Sequence, residues 1–272
     1  MRIGIPRELK TLEARIALIP AACAELVRRG HEVLIERGAG EGAGYADADY
    51  EAAGARVVPD AAAAYGEAEL VVKVKEPVEG DLAHLRADHL LFCFLHLAPN
   101  PKLARRLCEI GLTAVAFETV ERGDGTLPLL APMSDIAGRL STHIGTQLLQ
   151  YPHGGKGVLL GGLPATERGR VVIVGAGVAG GNAAAVAAAL GAEVAVFDLK
   201  REKLERMRAL GGNVTALHPF AETIAREVAR ADLLIGAVLI TGRRTPRLVT
   251  AGMVRSMAAG SVVMDISVDQ GG

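Results

Sequence analysis

The 272-residue sequence predicts an α/β protein of two doubly wound domains joined by a long helix. Two observations carry this. Short β-branched runs alternate with Ala/Leu/Arg segments of helical period from one end to the other, and the alternation is broken once, beyond about residue 128. Alternation of this kind implies mostly parallel sheets covered by helices, and the length suffices for two domains with buried cores.

Taken in order, RIGIP is a strand that runs into RELKTLEARIALIP, a loop carrying Arg7, Lys10 and Arg15. IPAACAELVRRG has the period of a helix, and EVLIE, RVVP, ELVVKVK, HLLFCFLH and TAVAFETV read as further strands, with NPKLARRLCEIG a helix between the last two. Two of these runs end in side chains able to carry charge: Lys75 closes ELVVKVK and His96 closes HLLFCFLH. PMSDIAGRLSTHIGTQLLQ reads as the bridging helix, near residues 134–150, capped by Ser134 with Asp135 in its first turn. The connector PHGGKGVLLGGLPATERG follows; its GGKG lacks the GxxxxGK[ST] pattern of a phosphate loop and reads as a flexible turn. A second alternation then runs through RVVIVGAG, EVAVFDL, NVTAL, ADLLIGAV and SVVMDIS, so the expected domains are 1–128 and 129–272.

Composition excludes several classes. The formal net charge is −1 with both signs scattered, which gives no basic surface for nucleic acid. MRIGIPRELK lacks the apolar core of a secretory signal, and the apolar stretch from Val171 to Val196 is interrupted by Asn182 and Glu193, so no membrane span and a cytoplasmic setting are expected. Cys23, Cys93 and Cys108 lie in apolar surroundings without CxxC spacing and read as buried free thiols of a reducing compartment. His84 and His89 are the only close histidine pair, HExxH is absent, and no metal is expected.

The most informative stretch is VVIVGAGVAGGNAAAVAAALGAEVAVFDLK. Gly175, Gly177 and Gly180 hold GxGxxG spacing; a strand enters the motif, an Ala-rich helix leaves it, and a second strand ends in Asp198, eighteen residues after Gly180. Gly175 permits the tight turn, Gly177 lets backbone N–H groups approach a pyrophosphate, and Gly180 allows close helix–strand contact, while the helix N-terminus offers partial positive charge. Asp198 accepts hydrogen bonds from ribose hydroxyls and repels a 2′-phosphate, so the second domain is expected to be a Rossmann domain that binds NAD in preference to NADP.

Ligands of open α/β sheets sit beyond the carboxyl ends of the strands. If the first-domain strands are parallel, Arg15, Lys75 and His96 converge at one edge, and like charges gathered there call for an anion. A small carboxylate fits, with Arg15 as a bidentate clamp, Lys75 polarising a carbonyl and His96 moving the proton that hydride transfer requires. The residues therefore point to an NAD-dependent oxidoreductase acting on a small carboxylate with an adjacent carbonyl, hydroxyl or amine.

At this point the chain resembles the alanine dehydrogenase family over essentially its whole length. The matching stretches are IGIPRE, the segment around Arg15, VVKVKEP, the LH-A motif around His96, PMSDIAG, GVLLGG, VVIVGAGVAG, ADLLIGAVL, LVT and VVMDISVDQGG. The resemblance implies reversible oxidative deamination of L-alanine to pyruvate and ammonia, by a homo-hexamer. It assigns Arg15 and Lys75 to the substrate and His96 and Asp269 to acid–base chemistry. It gives NAD contacts to Ser134, Val178, Ala179, Asp198, Lys203, Val238, Leu239 and the segment from Ile266 to Asp269, and places Met133 and Phe94 near the substrate. An aromatic hydroxyl is frequent at the position of Phe94, a serine is expected where HPFAE stands, and family chains continue past DQGG to complete the first domain. The nearest rival is the NAD-binding subunit of proton-translocating transhydrogenase, whose RAQ-containing segment corresponds here to LPLLAPMSD. A saccharopine-type dehydrogenase and an inert NAD-binding module are the remaining alternatives.

Overall fold

The structure, a computed structural model, describes residues 1–240, 244–268 and 271–272. Among these the chain divides into two compact units, Met1–Leu127 and Pro128–Gly272, each built on one all-parallel sheet. Asp269, expected to be an acid–base residue, lies outside the described residues.

The first unit contains strands β1 (Arg2–Ile5), β2 (Glu32–Glu36), β3 (Arg56–Val58), β4 (Leu70–Val72), β5 (Leu90–Cys93) and β6 (Thr113–Ala116). They are ordered β3-β2-β1-β4-β5-β6, so the connections reverse direction between β1 and β4. Helices α1 (Pro20–Arg28), α2 (Asp47–Ala52), α3 (Ala61–Gly66), α4 (Glu79–Leu82) and α5 (Pro101–Ile110) cover the sheet. Local chemistry sets their limits. Asp60 caps α3 by accepting the Ala63 N–H at 2.9 Å, Asn100 caps α5 through the Leu103 N–H at 3.2 Å, and α5 stops at Gly111, whose φ of +80° suits glycine. One core gathers Ile5, Val33, Ile35, Cys23 and Tyr50, another Val71, Leu91, Cys93, Leu95, Leu103 and Leu107. Each fully buried aliphatic side chain contributes about 1.5–3 kcal/mol.

Strands β4 and β5 stop short of the expected runs. β4 ends at Val72 and β5 at Cys93, leaving Lys75 and His96 three residues beyond their strands. Two ladder-like bonds persist, from Lys73 N–H to Phe92 O and from Phe94 N–H to Val74 O, both 3.1 Å. Past them, carboxylates capture the amides that pairing would use: Glu8 takes those of Val74 and Lys75, and Glu118 takes those of Leu95 and His96.

In the second unit β7 (Arg170–Val174), β8 (Glu193–Phe197), β9 (Val214–Leu217), β10 (Leu233–Gly236) and β11 (Val262–Asp265) are ordered β11-β10-β7-β8-β9, again reversing beside the first strand. Helices α6 (Ala131–Leu148), α7 (Val178–Ala189), α8 (Arg201–Arg208), α9 (Ala221–Ala229) and α10 (Ala251–Arg255) complete it. Small residues bring α6 onto α7: a Cβ on Gly138 would stand 2.1 Å from Ala179 O, and Thr142 Oγ1 donates to Ala183 O at 3.1 Å.

Two expectations are corrected. Ser134 does not cap α6, because its amide already donates to Leu130 O at 3.1 Å within the helical ladder; the helix begins at Ala131, with Pro132 in the first turn, where its missing N–H costs nothing. Cys108 is exposed on α5, whereas Cys23 and Cys93 are buried, and burial pushes the Cys23 thiol up to about 11. Among the described residues, no helix is long and apolar enough to cross a membrane and no His/Cys/Asp/Glu cluster could hold a metal.

Candidate active site

The glycine turn follows β7 at the edge where the sheet order reverses. Gly175 has φ +105°, and a Cβ there would stand 2.6 Å from Ala237 O. At Gly180 a Cβ would fall 1.7 Å from Gly175 O, so this position closes the turn against its own backbone. Gly177 differs: it precedes α7 as N-cap, and a Cβ would meet nothing within 4 Å. Val178 and Ala179 form the first turn of α7, where the amides have no acceptor within the helix. Two glycines thus serve the protein's own packing, while the third leaves room for a group to approach.

Asp198 lies just beyond β8. Its Oδ2 accepts the Ala176 N–H at 2.9 Å and its Oδ1 the Lys200 N–H at 2.9 Å, while Lys203 Nζ stands 3.3 Å away. Burial raises its pKa, but the two amides and the Lys203 charge outweigh burial and hold the carboxyl below the usual range. Asp198, Lys203 and the glycine turn therefore form one cluster. Across the turn, Val238 O accepts the Ser267 hydroxyl at 2.7 Å, and the Ile266 N–H donates to Gly236 O at 2.9 Å. Leu239 is exposed. Ser134 lies in the first turn of α6, next to Asp135, whose carboxylate accepts from Asn182 of α7 at 2.8 Å.

In the first unit the candidate residues follow three adjacent strands, β1, β4 and β5, at their carboxyl ends. Arg15 donates to Glu13 through Nε at 2.8 Å and Nη2 at 2.6 Å. That contact holds the Glu13 carboxyl below its ordinary range against the opposing effect of burial, and the Lys75 charge adds to it. Arg15 and Lys75 therefore act on one carboxylate. Arg7 and Lys10 from the same loop are committed elsewhere, Arg7 to Arg37 O at 2.7 Å and Lys10 to Glu76.

His96 is half-buried and stacks on Phe94, with ring centroids 5.8 Å apart and planes 10° apart. Its backbone has φ +47°, a left-handed conformation that is costly for a residue with a Cβ. Glu118 enforces it: the carboxylate accepts the His96 N–H at 2.7 Å and the Leu95 N–H at 3.2 Å. Phe117 closes edge-on against Phe94 at 5.2 Å.

Sequence reasoning missed Glu8, Lys73, Asp81 and Glu118. Lys73 is 1 % exposed and lies 3.1 Å from Asp81 and 3.4 Å from Glu8. Alternation offered one signal, since Lys73 sits two residues before Lys75 in an otherwise apolar run.

Comparisons with known proteins converge on one group. The family model described as "Alanine dehydrogenase/PNT, N-terminal domain" matches residues 4–137, and "Alanine dehydrogenase/PNT, C-terminal domain" matches residues 141–272. The alanine dehydrogenase of Mycolicibacterium smegmatis is 48% identical over 100% of this chain and 74% of its own length; that of Bacillus subtilis is 47% identical over 100% and 72%. A solved L-alanine dehydrogenase superposes with a TM-score of 0.89 at 50% identity, covering 99% of this chain and 75% of its own. A transhydrogenase from Sinorhizobium meliloti gives 0.82 at 30% identity, covering 100% and 80%.

Proposed function

The chain belongs to the alanine dehydrogenase/PNT family, and from that premise we propose that it interconverts L-alanine with pyruvate and ammonia, using NAD. The observation that carries this reading is 45–48% identity to alanine dehydrogenases along the entire chain. The first unit supplies the substrate residues, and the second, with α6, the dinucleotide residues.

The fit to a dinucleotide rests on the open space at Gly177 beside the α7 amides and on the ionised Asp198. Gly177 with Val178 and Ala179 would hold the pyrophosphate in the turn that Gly175 and Gly180 close, Asp198 and Lys203 would hold the adenosine ribose, and Ser134, Val238, Leu239, Ile266 and Asp269 the remainder. Bound NAD supplies the hydride acceptor for deamination and, when reduced, the donor for the reverse reaction. Arg15 binds the substrate carboxylate in competition with Glu13, whose place on the guanidinium the substrate must share or take. Lys75 donates to the carbonyl oxygen and stabilises charge developing there. His96 and Asp269 take and return the protons that move between amine, water and carbonyl. Assembly as a homo-hexamer and a cytoplasmic setting belong to the same reading and rest on the family resemblance.

The test is direct. NADH absorbance is followed with pyruvate and ammonium; consumption that requires both supports the reading. His96→Ala is expected to lower turnover by about 10²–10⁴ while NADH binding is kept, and near-wild-type turnover would exclude His96 from proton transfer. The likeness to a transhydrogenase favours a second reading, in which the chain passes hydride to NADP on a partner. NADH oxidation that ignores pyruvate but proceeds with an NADP analogue and a membrane partner would select it.

A further inference from the structure

Beyond β4 the chain runs through Lys73, Val74 and Lys75, and Glu8, from the loop after β1, acts on all three. Glu8 Oε1 accepts the Val74 N–H at 2.6 Å, and Oε2 accepts the Lys75 N–H at 3.3 Å and lies 3.4 Å from Lys73 Nζ. Lys73 is anchored on its other side by Asp81, 3.1 Å away, and Asp81 accepts the Tyr65 hydroxyl at 2.7 Å and the Val78 N–H at 2.9 Å. The side chains of Glu8, Lys73 and Asp81 are 3%, 1% and 2% exposed, so two carboxyl groups and one lysine head are sealed beneath the strand end. Burial pushes the Glu8 carboxyl up, against the pull of Lys73 and the two amides.

A buried ion cluster is a weak source of stability, because desolvating the charges offsets most of their attraction. What it supplies is direction. Two acceptor oxygens on adjacent amides fix the main chain at residues 74–75, and with it the vector along which the Lys75 side chain leaves the backbone. The Glu8 charge also favours the charged form of Arg15. Lys75 is thus tied directly to the Glu8 carboxylate through its main chain, whereas Arg15 is held first by Glu13 and feels Glu8 only as a smaller added charge.

We propose that Glu8, held by Lys73 and Asp81, is a positioning residue that aims Lys75 at the substrate carboxylate and carbonyl; this rests on the reading of Lys75 given above. Glu8→Gln keeps the shape but turns one acceptor into a donor: an amide nitrogen in place of Oε2 opposes both the Lys75 N–H and the Lys73 ammonium, and one in place of Oε1 opposes the Val74 N–H. In either orientation the double tie on the amides of residues 74 and 75 is broken while the packing survives. The pyruvate KM is expected to rise about tenfold or more, because small misplacements of binding groups are amplified in this way, with the NADH Kd changed by less than about twofold. Acylation of Lys75 by an N-hydroxysuccinimide ester, read by mass spectrometry against exposed Lys102, is expected to change about threefold or more.

Adding Lys73→Met and Asp81→Asn to Glu8→Gln neutralises the whole cluster, so that no buried charge is left without its partner, and does not restore the second amide tie. This triple variant is expected to regain melting temperature relative to Glu8→Gln and to keep the raised KM. A purely structural role predicts that both recover together, and that result would overturn the proposal. So would an unchanged KM and an unchanged Lys75 labelling ratio in Glu8→Gln. If the wild-type chain consumes no NADH with pyruvate and ammonium, the proposed activity fails while the labelling ratio still decides the positioning of Lys75.

Discussion

Replacing Gly177 and Gly180 one at a time by alanine separates what the glycine turn does for the protein from what it does for a ligand. Gly177 has φ −72° and ψ −163°, a conformation open to alanine, and its Cβ would meet nothing within 4 Å. Restricting the unfolded chain stabilises by about 0.4–1 kcal/mol. Alanine is a poorer N-cap than glycine and costs about 0.5–1 kcal/mol. The two nearly cancel, and a residual of about 1 kcal/mol would move the melting temperature only about 2–4 °C. A pyrophosphate held at this N-terminus would meet the new methyl. Losing one hydrogen bond to a charged group, at about 1.5–3 kcal/mol, raises the NADH Kd about tenfold to a hundredfold at about 1.4 kcal/mol per decade. Gly180→Ala acts differently, since its Cβ would stand 1.7 Å from Gly175 O. Overpacking of that kind costs about 1–3 kcal/mol or more, so melting temperature and NADH binding are expected to fall together. Fluorescence titration with NADH and thermal melts of both variants decide the matter. Gly177→Ala binding NADH as tightly as wild type would refute the reasoning, and so would a melting loss as large as that of Gly180→Ala.

Three further outcomes are expected. Asp198→Ser removes the carboxylate that would repel a 2′-phosphate, a juxtaposition worth several kcal/mol, so the preference for NADH over NADPH in binding titrations should shrink by about tenfold or more. Glu118→Ala deprives the Leu95 and His96 amides of their acceptor, at a cost of about 1–3 kcal/mol, and frees the left-handed turn at His96; kcat should fall about tenfold or more while the NADH Kd is kept, and an unchanged kcat would show that the turn holds without it. Glu227 is buried, which raises its carboxyl pKa, but the Arg170 hydrogen bond and charge outweigh burial and hold it below the ordinary 4.5. Its stabilising effect is therefore present above 4.5 and is lost as pH falls through the lower folded value. The melting gap between wild type and Glu227→Gln should be wide at neutral pH and close as pH falls through the lowered folded value; a gap that persists in acid would contradict the linkage.

The two sheets and the glycine turn were legible because periodicity and spacing are local properties of the chain. Runs such as RVVIV and EVAVF reveal their strands within five residues, and GAGVAG carries its own steric logic. The ends of β4 and β5 were not legible, because apolar residues continue past them and what stops pairing is Glu8, 66 positions from Val74, and Glu118, 22 from His96. Nothing near either glutamate marks it among 31 acidic residues. Ser134 misled because a serine ahead of an apolar run is a common cap, whereas Pro132 in APMSD moved the start of α6 upstream. Of the cations expected at one edge, Arg15 and Lys75 act on the Glu13 carboxylate and His96 follows the neighbouring strand β5, while Arg7 and Lys10 of the same loop are bound to partners of their own.

The segment after β1 and the segment after β7 occupy the same topological place, each beside the strand where its sheet reverses order. One holds side chains, from Arg7 to Arg15; the other is a glycine turn that exposes peptide N–H groups. A peptide amide has no proton to lose in the physiological range, whereas Arg15, Lys75, His96 and their carboxylate neighbours Glu13 and Glu118 are ionisable. On the proposed reading, acidity should therefore modulate which small acid is accepted more than it modulates the backbone hold on a diphosphate. The same architecture used twice would give one receptor built on groups that titrate and one built on groups that do not.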